Sequence, residues 1–311
     1  MAKFNKHDLL ELARAYDCFE TVDASVFQRK ARILQSMWRE ERGYPLGERG
    51  GKRYGARLAM PWARESLANY MTEVAKDAVR REVLDPVRSK GKLYGKPRIF
   101  DNLLSSQPLC FNLFAELQTD LKAATAFVKT MGIAPAAEVS AIAFEHSPGR
   151  GDDAYTGDRS AFDVFVEYTT KSGKSGFLGI EVKYHENLIG KAAMLRGRYE
   201  EVAQASGAFK PESLPDLRIQ PLQQIWRDHL LACSVLQHGD YDEGAFVFLY
   251  PRDNQHCADA AKRYQDCLLG DDTFLVWTLE DAWKAARASL GEDWGKTFYD
   301  RYLDFERVGR G

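Results

Sequence analysis

The sequence predicts an α/β fold, an α+β arrangement in which a helical extension precedes an αβββαβ core built on a mixed sheet. Three observations predict it. Apolar residues recur at helical spacing in residues 6 to 42, and three strand-like apolar runs follow one another between residues 138 and 185. A helical pattern at 219 to 239 then precedes another strand-like run at 244 to 250. Three successive strands, a helix and a further strand favour a mixed sheet with helices packed on it.

Residues 1 to 98 are predicted to form a helical, basic N-terminal extension that packs on a core domain at residues 99 to 311. Within the extension, residues 6 to 42 and 61 to 88 have apolar positions at helical spacing and are expected to be helical. Residues 43 to 55 are rich in glycine and basic side chains, which predicts a loop.

The core domain is predicted to begin with one helix over residues 105 to 132. This stretch opens with serines and a proline, which are typical of a helix start, and it ends at a glycine. Strands are then expected at 138–146, 161–169 and 176–185, with a polar turn between the last two. The remaining elements alternate, and in order they are a helix at 219–239, a strand at 244–250, a helix at 254–269, a strand at 273–279 and helices at 280–306.

The distribution of charge is uneven along the chain. Of the 311 residues, 45% are hydrophobic and 28% charged, as in ordinary globular proteins, and the net charge is only −2. Residues 49 to 98 nevertheless contain thirteen Lys and Arg against five Asp and Glu. This excess is compatible with a surface that faces a polyanion, and a set of solvated helix faces explains it equally well.

The five cysteines form no CxxC pair, and their odd number argues against a disulfide framework or a thiolate zinc site. A reducing cytoplasm fits this pattern. The N-terminal residues MAKFNKHDLLELARAYDCFE lack the apolar region of a signal peptide. No apolar run approaches the roughly 20 residues that a membrane span needs. We therefore expect a cytoplasmic location.

The hairpin predicted at residues 162 to 184, FDVFVEYTTKSGKSGFLGIEVKY, carries charged side chains inside apolar strand runs. Side chains alternate between the two faces of a strand, so Glu181 and Lys183 share one face and their apolar neighbours take the other. If the two strands pair antiparallel around a tight turn, Asp163 lies near both. The sequence therefore predicts that two carboxylates and an ammonium meet at one end of the sheet.

This set of groups suits one kind of chemistry. Two carboxylates offer the hard oxygen ligands that Mg²⁺ or Mn²⁺ prefers, with waters and a phosphate oxygen completing the shell. A bound dication makes hydroxide available near neutral pH and stabilises charge on a phosphate in the transition state. A neighbouring lysine can orient or deprotonate the attacking water. The alternative is an ordinary ion pair at a solvent-facing strand edge.

The element order, with Asp163 on one strand and Glu181-Val182-Lys183 on the next, resembles the PD-(D/E)XK nuclease superfamily. That superfamily has an αβββαβ core and a signature of an acid followed by acid-x-Lys; Phe162 stands where the signature has its proline. Within it, the chain is similar to a bacterial group thought to be restriction endonucleases. The stretches that carry this likeness are NLLSSQPLCFNLFAEL (102–117), SAFDVFVEY (160–168), GIEVKYHEN (179–187) and LQQIWRDHLLA (222–232), with FQRKARILQSMWRE (27–40) as an extension.

The resemblance implies a restriction-endonuclease-like fold and an Mg²⁺- or Mn²⁺-dependent endonuclease that hydrolyses phosphodiester bonds in restriction or defence. Asp163 and Glu181 would bind the metal together with the backbone carbonyl of Val182, and Lys183 would assist the attacking water. Glu116, on the first core helix, would ligate or orient. The implied partner is nucleic acid, with double-stranded DNA expected, and a homodimer is compatible with cutting both strands.

Other polar residues are weaker candidates, because a solvated surface explains each of them as well. Glu145 could support the metal ligands or bind a second ion, and His185 could touch the substrate. Gln224 and Arg227, on the helix at 219 to 239, could approach the site, whereas Glu186 is expected to face solvent. The basic residues expected to contact a phosphate backbone are Arg49, Lys52, Arg53, Lys90, Lys92 and Lys96.

Three other functions remain open at this point. The chain could be a non-catalytic module that binds DNA or assembles with other proteins through the same fold. It could also be an RNase or a structure-specific nuclease, or an enzyme that uses a buried Lys183 as a Schiff-base former. The sequence motifs of zinc hydrolases, P-loop NTPases and dinucleotide-binding proteins are absent.

Overall fold

The structure is a computed structural model that describes residues 6–23, 25–190 and 192–309. Contacts between residues divide the chain into two compact units. Unit 1 comprises Met1–Glu116 and Leu290–Gly311, and unit 2 comprises Leu117–Ser289. Among the described residues, no helix is both long enough and apolar enough to span a membrane.

Unit 1 is mainly helical and includes a small antiparallel sheet. Its elements before unit 2 are, in chain order, α1 (Lys6–Ala15), α2 (Val26–Glu41), β1 (Leu46–Arg49), β2 (Lys52–Leu58), α3 (Trp62–Ser66), α4 (Glu73–Val79), a π-helical turn (Arg80–Leu84), α5 (Arg98–Asp101) and α6 (Ser106–Thr119), whose residues after Glu116 are assigned to unit 2. Helices α1 and α2 lie in the predicted helical range. The range predicted as helical at residues 61 to 88 is broken into shorter pieces.

Helix α2 begins where Ser25 caps it, because the Ser25 Oγ accepts a hydrogen bond from the Gln28 backbone N–H at 3.1 Å. Such a cap satisfies one of the amide groups that a helix start leaves without a partner. Ile33 and Leu34 of α2 are fully buried and pack in one cluster with Leu9 of α1. The apolar spacing in the sequence thus marks the buried side of α2.

The stretch predicted as a loop at residues 43 to 55 instead contains most of a β-hairpin. Strands β1 and β2 pair antiparallel, with Arg49 opposite Lys52. Gly50 and Gly51 form the turn between them, with φ angles of 58° and 73°. A two-residue hairpin turn needs positive φ at both positions, and glycine adopts it without strain. The glycines on which the loop prediction rests therefore close a hairpin.

Unit 2 contains the main sheet. Its elements are, in chain order, α7 (Leu121–Thr130), β3 (Ala136–His146), β4 (Phe162–Thr170), β5 (Ser175–Val182), α8 (Gly197–Ser206), a 3₁₀ turn (Pro211–Ser213), α9 (Leu214–Leu217), α10 (Leu222–His238), β6 (Glu243–Tyr250), α11 (Gln255–Gln265), β7 (Phe274–Thr278) and α12 (Leu279–Leu290). The described residues form one sheet in the order β3-β4-β5-β6-β7. Pairing is antiparallel from β3 to β5 and parallel from β5 to β7. The predicted mixed sheet of an α/β fold is confirmed.

The single helix predicted at residues 105 to 132 is wrong, because the chain forms two helices there. Asp120 caps the second, α7: its Oδ1 accepts hydrogen bonds from the N–H groups of Lys122 and Ala123 at 3.1 and 2.9 Å. An aspartate at this position favours a new helix start. Its signal is hidden in the sequence by the apolar periodicity on both sides.

Helix α8 lies in a stretch for which no element is predicted. Its buried residues Tyr199, Val202 and Ala203 follow the i, i+3, i+4 spacing of an amphipathic helix. Three positions are too few to separate such a helix from chance spacing in a polar segment.

Helix α10 covers the sheet face that carries the candidate residues. Phe165 of β4 and Phe177 of β5 pack with Trp226 of α10 in one buried cluster. By strand alternation, Asp163 shares the face of Phe165, and Glu181 shares the face of Phe177. The candidate residues therefore lie at the end of the surface on which α10 packs.

The last elements of the chain, α13 (Glu292–Tyr302) and a 3₁₀ turn (Arg307–Gly309), belong to unit 1. Arg301 of α13 is fully buried and donates from Nη1 to the Asn69 carbonyl at 2.7 Å, while Gln35 of α2 donates to the Arg301 carbonyl at 2.6 Å. The Arg301 guanidinium also lies 4.1 Å from the Trp38 ring centroid. The units thus divide after Glu116, whereas the sequence predicts a boundary after residue 98; which ranges fold as independent domains stays a prediction.

Candidate active site

The register of β4 and β5 brings the predicted acids together. Val164 of β4 lies opposite Ile180 of β5 in an antiparallel pair. Asp163, one residue before Val164, therefore lies opposite Glu181, one residue after Ile180. Asp163 Oδ2 accepts a hydrogen bond from the Val182 backbone N–H at 2.9 Å. The Asp163 side chain thereby takes the place of a backbone acceptor at the end of β5, which fixes its orientation.

Lys183 completes the cluster just beyond the end of β5. Its Nζ donates to Glu181 Oε1 at 2.5 Å, and both residues are buried, with 7% exposure each. The Lys183 backbone N–H donates to the Leu249 carbonyl at 2.8 Å, so the chain stays aligned with β6 although the strand has ended. Gln224 of α10 donates from Nε2 to the same Glu181 oxygen at 2.7 Å. The structure therefore joins four of the predicted residues in one network.

The network contains more carboxyl groups than positively charged groups. Burial and the neighbouring Glu181 raise the pKa of Asp163 well above its ordinary value. Burial alone would lower the pKa of Lys183, but Glu181, Glu186 and Asp163 together raise it above its ordinary value. The carboxyl groups therefore stabilise the positive charge of Lys183 although it is buried. A site of this kind also favours a further positive charge, such as a cation.

Glu145 extends the row of acids onto a third strand. Phe144 pairs with Val164 across β3 and β4, so Glu145 lies opposite Asp163, which in turn lies opposite Glu181. Glu145 has a φ of 50°, in the left-handed region that residues other than glycine rarely adopt, and it is 8% exposed. Its charge adds to the rise in the pKa of Asp163. Backbone strain of this kind is found preferentially at functional sites.

Glu186 is not solvent-facing as expected. It is half-buried, and its Oε2 accepts a hydrogen bond from the Tyr184 N–H at 2.6 Å. Burial would raise the pKa of Glu186, but His185 and Lys183 lower it below its ordinary value. Glu186 lies beyond β5, which ends at Val182, whereas the sequence predicts a strand to residue 185. The predicted substrate residue His185 is half-buried beside it.

Asp228 is a second residue that the sequence analysis misses. It lies one turn after Gln224 on α10 and is 6% exposed. Burial and Glu181 raise the pKa of Asp228 well above its ordinary value, while Arg227 and Lys183 act in the opposite direction. Within the described residues, its Oδ2 is buried and has no hydrogen-bond partner. The i, i+4 spacing puts Asp228 on the same face of α10 as Gln224, but the sequence does not show which face of the helix turns to the site.

Arg227 is engaged away from the two acids. Its Nη2 donates to Asp158 Oδ2 and to Ser160 Oγ, each at 2.8 Å, and its Nε donates to the Tyr199 hydroxyl at 3.2 Å. Burial would raise the pKa of Asp158, but Arg227, Tyr199 and Ser160 hold it well below its ordinary value. Arg227 therefore fastens the segment before β4 to α10.

The residues predicted to contact a phosphate backbone lie in unit 1, and three of them form ion pairs there. The pairs are Arg49 with Glu20 at 2.6 Å, Arg53 with Asp17 at 3.2 Å and Lys92 with Glu82 at 2.8 Å. Lys52, Lys90 and Lys96 are exposed. Their contact with a phosphate backbone stays a prediction.

Glu116 is the last residue of unit 1 and lies half-buried on α6. Its predicted role beside the acids of unit 2 stays a prediction.

The donor set fits a hard dication without forming a complete cage. Among the described residues, no group of three or more His, Cys, Asp or Glu side chains is arranged to hold an ion. Mg²⁺ is commonly held by one or two carboxylates, with waters and phosphates supplying the remaining ligands. Asp163 and Glu181 each use one carboxylate oxygen for the hydrogen bonds described above, so each has another to offer. The Val182 backbone carbonyl lies between Glu181 and Lys183 in the chain.

Comparison with known proteins gives one match. A family model described as the PD-(D/E)XK nuclease superfamily matches residues 21–304, which include all the residues of this site. Searches of curated proteins and of solved structures found no similar protein.

Proposed function

The chain belongs to the PD-(D/E)XK nuclease superfamily, and from this premise we propose that it is a metal-dependent endonuclease that hydrolyses phosphodiester bonds in double-stranded DNA. The observation that carries the proposal is the buried Lys183–Glu181 pair, 2.5 Å apart, with Asp163 on the neighbouring strand. A purely structural Lys183–Glu181 pair would not need Asp163 beside it. Burial and the charge of Glu181 both raise the pKa of Asp163, so its carboxyl group is placed there at a cost.

Asp163, Glu181 and the Val182 carbonyl are the proposed ligands of Mg²⁺ or Mn²⁺. The bound ion supplies an acidified water and stabilises the charge that develops on the phosphate. Val182 N–H and Gln224 hold the two carboxylates in place, so that each presents its remaining oxygen in a fixed direction. Glu116 and Glu145 are proposed to assist as further acids.

Lys183 is proposed to act as a fixed cation that orients the attacking water or the scissile phosphate. The carboxyl groups around it raise its pKa, so it keeps its proton near neutral pH. A protonated amine donates hydrogen bonds and neutralises charge but does not accept a proton. This favours orientation over the deprotonation that the sequence also allows.

The remaining parts of the proposal concern substrate and setting. Exposed Lys52, Lys90 and Lys96 would contact the backbone phosphates, and such contacts bind without sequence specificity. All five cysteines, each in the described part of the chain, are buried free thiols, which suits a reducing cytoplasm. A role in restriction or defence, and a homodimer that cuts both strands, complete the proposal.

A cleavage assay tests this function. Supercoiled plasmid, linear duplex, single-stranded DNA, branched DNA and RNA are incubated with the protein and MgCl₂ or MnCl₂, with and without EDTA. We expect EDTA-sensitive nicking or linearisation of the plasmid. Asp163→Asn and Lys183→Met should each reduce the rate at least about 100-fold, since positioned groups of this kind contribute about 10²–10⁴-fold.

Two control variants have the same charge changes at the opposite end of the sheet. Asp242→Asn and Lys171→Met alter exposed residues and should leave the rate unchanged. Cleavage of RNA or branched DNA alone would replace the substrate in the proposal. DNA binding by a folded wild-type protein, with no cleavage of any substrate, would favour the non-catalytic module.

A further inference from the structure

One buried carboxyl group beside the site is not used by the mechanism above. Asp228 is 6% exposed, and its Oδ2 has no hydrogen-bond partner among the described residues. Buried polar atoms in folded proteins are nearly always hydrogen-bonded, so an exception indicates an absent partner such as water or an ion. Oδ2 is therefore an acceptor whose donor is not a group of the described residues.

The position of Asp228 indicates where that donor lies. Residues four apart on a helix share one face, and Gln224, four residues earlier, reaches Glu181 with its Nε2. The charges that act on Asp228 are those of Glu181, Lys183, Arg227 and Asp158. Two of these belong to the proposed metal site, so Asp228 shares the electrostatic environment of that site.

Direct coordination by Asp228 is not what the arrangement supports. The described residues contain no group of three metal-binding side chains around one point. Asp163 and Glu181 can fill only part of an octahedral shell, and Mg²⁺ normally keeps several waters. Inside a site where Lys183 and Glu181 are themselves buried, such waters need protein acceptors.

We propose that Asp228 is a positioning residue that accepts hydrogen bonds from the waters that accompany the cation held by Asp163 and Glu181. It thereby supports the cation through those waters without touching the ion. The inference rests on the proposed function, because it assumes a cation at these two acids. Groups that act in this way behind metal ligands typically change metal affinity or activity by about 10–100-fold.

Calorimetric titration with MnCl₂, without nucleic acid, tests this role apart from activity. Asp228→Asn keeps the shape of the side chain but replaces one carboxyl oxygen by an amide that donates, and Asp228→Ala removes the acceptor altogether. Both variants should melt within a few degrees of wild type in EDTA, because no group in the described part of the chain donates to Asp228 Oδ2. Both should bind Mn²⁺ about 10–100-fold more weakly. Asp242→Asn, the exposed control with the same substitution, should bind Mn²⁺ like wild type.

The outcomes separate this inference from the proposed function. A wild-type affinity in folded Asp228→Asn or Asp228→Ala would overturn the inference and leave the metal site intact. Failure of both variants to fold in EDTA would also overturn it, since Asp228 would then have a structural role without the cation. If neither the wild-type protein nor Asp163→Asn binds Mn²⁺ in the titration, the proposed metal site is absent. The proposed function then fails together with the inference.

Discussion

Replacing Arg227 by alanine is expected to destabilise unit 2. Arg227 and Asp158 are 2.8 Å apart, with side-chain exposures of 23% and 6%, so the pair is mostly shielded from water. The change would leave the buried Asp158 carboxylate with Ser160 and Tyr199 but without its counter-charge. Removing one partner of a buried ion pair is costly because the other charge stays buried.

The magnitude follows from this geometry. Breaking a buried pair costs about 3–5 kcal/mol, and the partial exposure of Arg227 places the expected loss at the lower end, about 3 kcal/mol. Asp158 has a pKa held below its ordinary value in the folded protein. Its contribution is therefore fully present above the unfolded pKa of about 3.9 and disappears as the pH falls toward the folded value.

Urea unfolding of wild type and Arg227→Ala at pH 7 and at pH 3 measures both effects. The difference in unfolding free energy should be about 3 kcal/mol at pH 7 and smaller at pH 3. The double variant with Asp158→Asn should be less destabilised than the sum of the two single changes. A difference below about 1 kcal/mol at pH 7, with nuclease activity lost, would refute this reasoning and make Arg227 a substrate-binding residue.

Three further predictions concern the site and the fold. Burial lowers the pKa of Lys183, but Glu181, Glu186 and Asp163 together raise it above its ordinary value, so the stability lost in Lys183→Met should be constant from pH 7 to about 10 and shrink only at higher pH. Asn254→Ala removes the cap of α11 and the donors to the Tyr184 and Glu186 carbonyls, and urea unfolding should show a loss of about 2–3 kcal/mol. Gly50→Ala should lower the free energy of unfolding by about 1–2 kcal/mol, because alanine is strained at the positive φ of this position. The added Cβ meets no other atom, so no steric clash adds to this loss.

Each of these predictions has a contrary outcome. A loss in Lys183→Met that shrinks already between pH 7 and 9 would show that the lysine pKa is not raised. Asn254→Asp keeps the cap oxygen but not the donors, and stability equal to wild type would show that the two carbonyls do not need them. Hydrogen exchange in β1 and β2 should speed up in Gly50→Ala, and unchanged exchange would contradict the tight turn.

Local rules were sufficient to predict the central hairpin and the meeting of three of its charged residues. Strand alternation and a two-strand register determine that Asp163, Glu181 and Lys183 share a face, and both can be read from spacing alone. The hairpin of β1 and β2 was missed because its charged residues conceal any alternation of apolar side chains. In that case the paired glycines carry the only signal.

Asp228 and Glu186 could not be placed by the same rules. Asp228 reaches the site only because α10 packs on the sheet with a particular rotation, and packing angles between elements are set by the side chains of the whole core. Glu186 lies past the end of β5 at Val182, and the exact ends of elements are the least predictable part of a pattern. Three-dimensional packing, and not local spacing, determines both positions.

The burial of Arg301 among residues of the N-terminal segment has a consequence for synthesis on the ribosome. Gln35 and Asn69 bond to a residue more than 230 positions later, so unit 1 joins segments at opposite ends of the sequence. Unit 2 is one continuous segment and can complete its contacts first, whereas residues 6 to 116 must wait for α13 to be translated. We therefore expect the sheet that holds Asp163 and Glu181 to fold before the basic region that would bind the substrate.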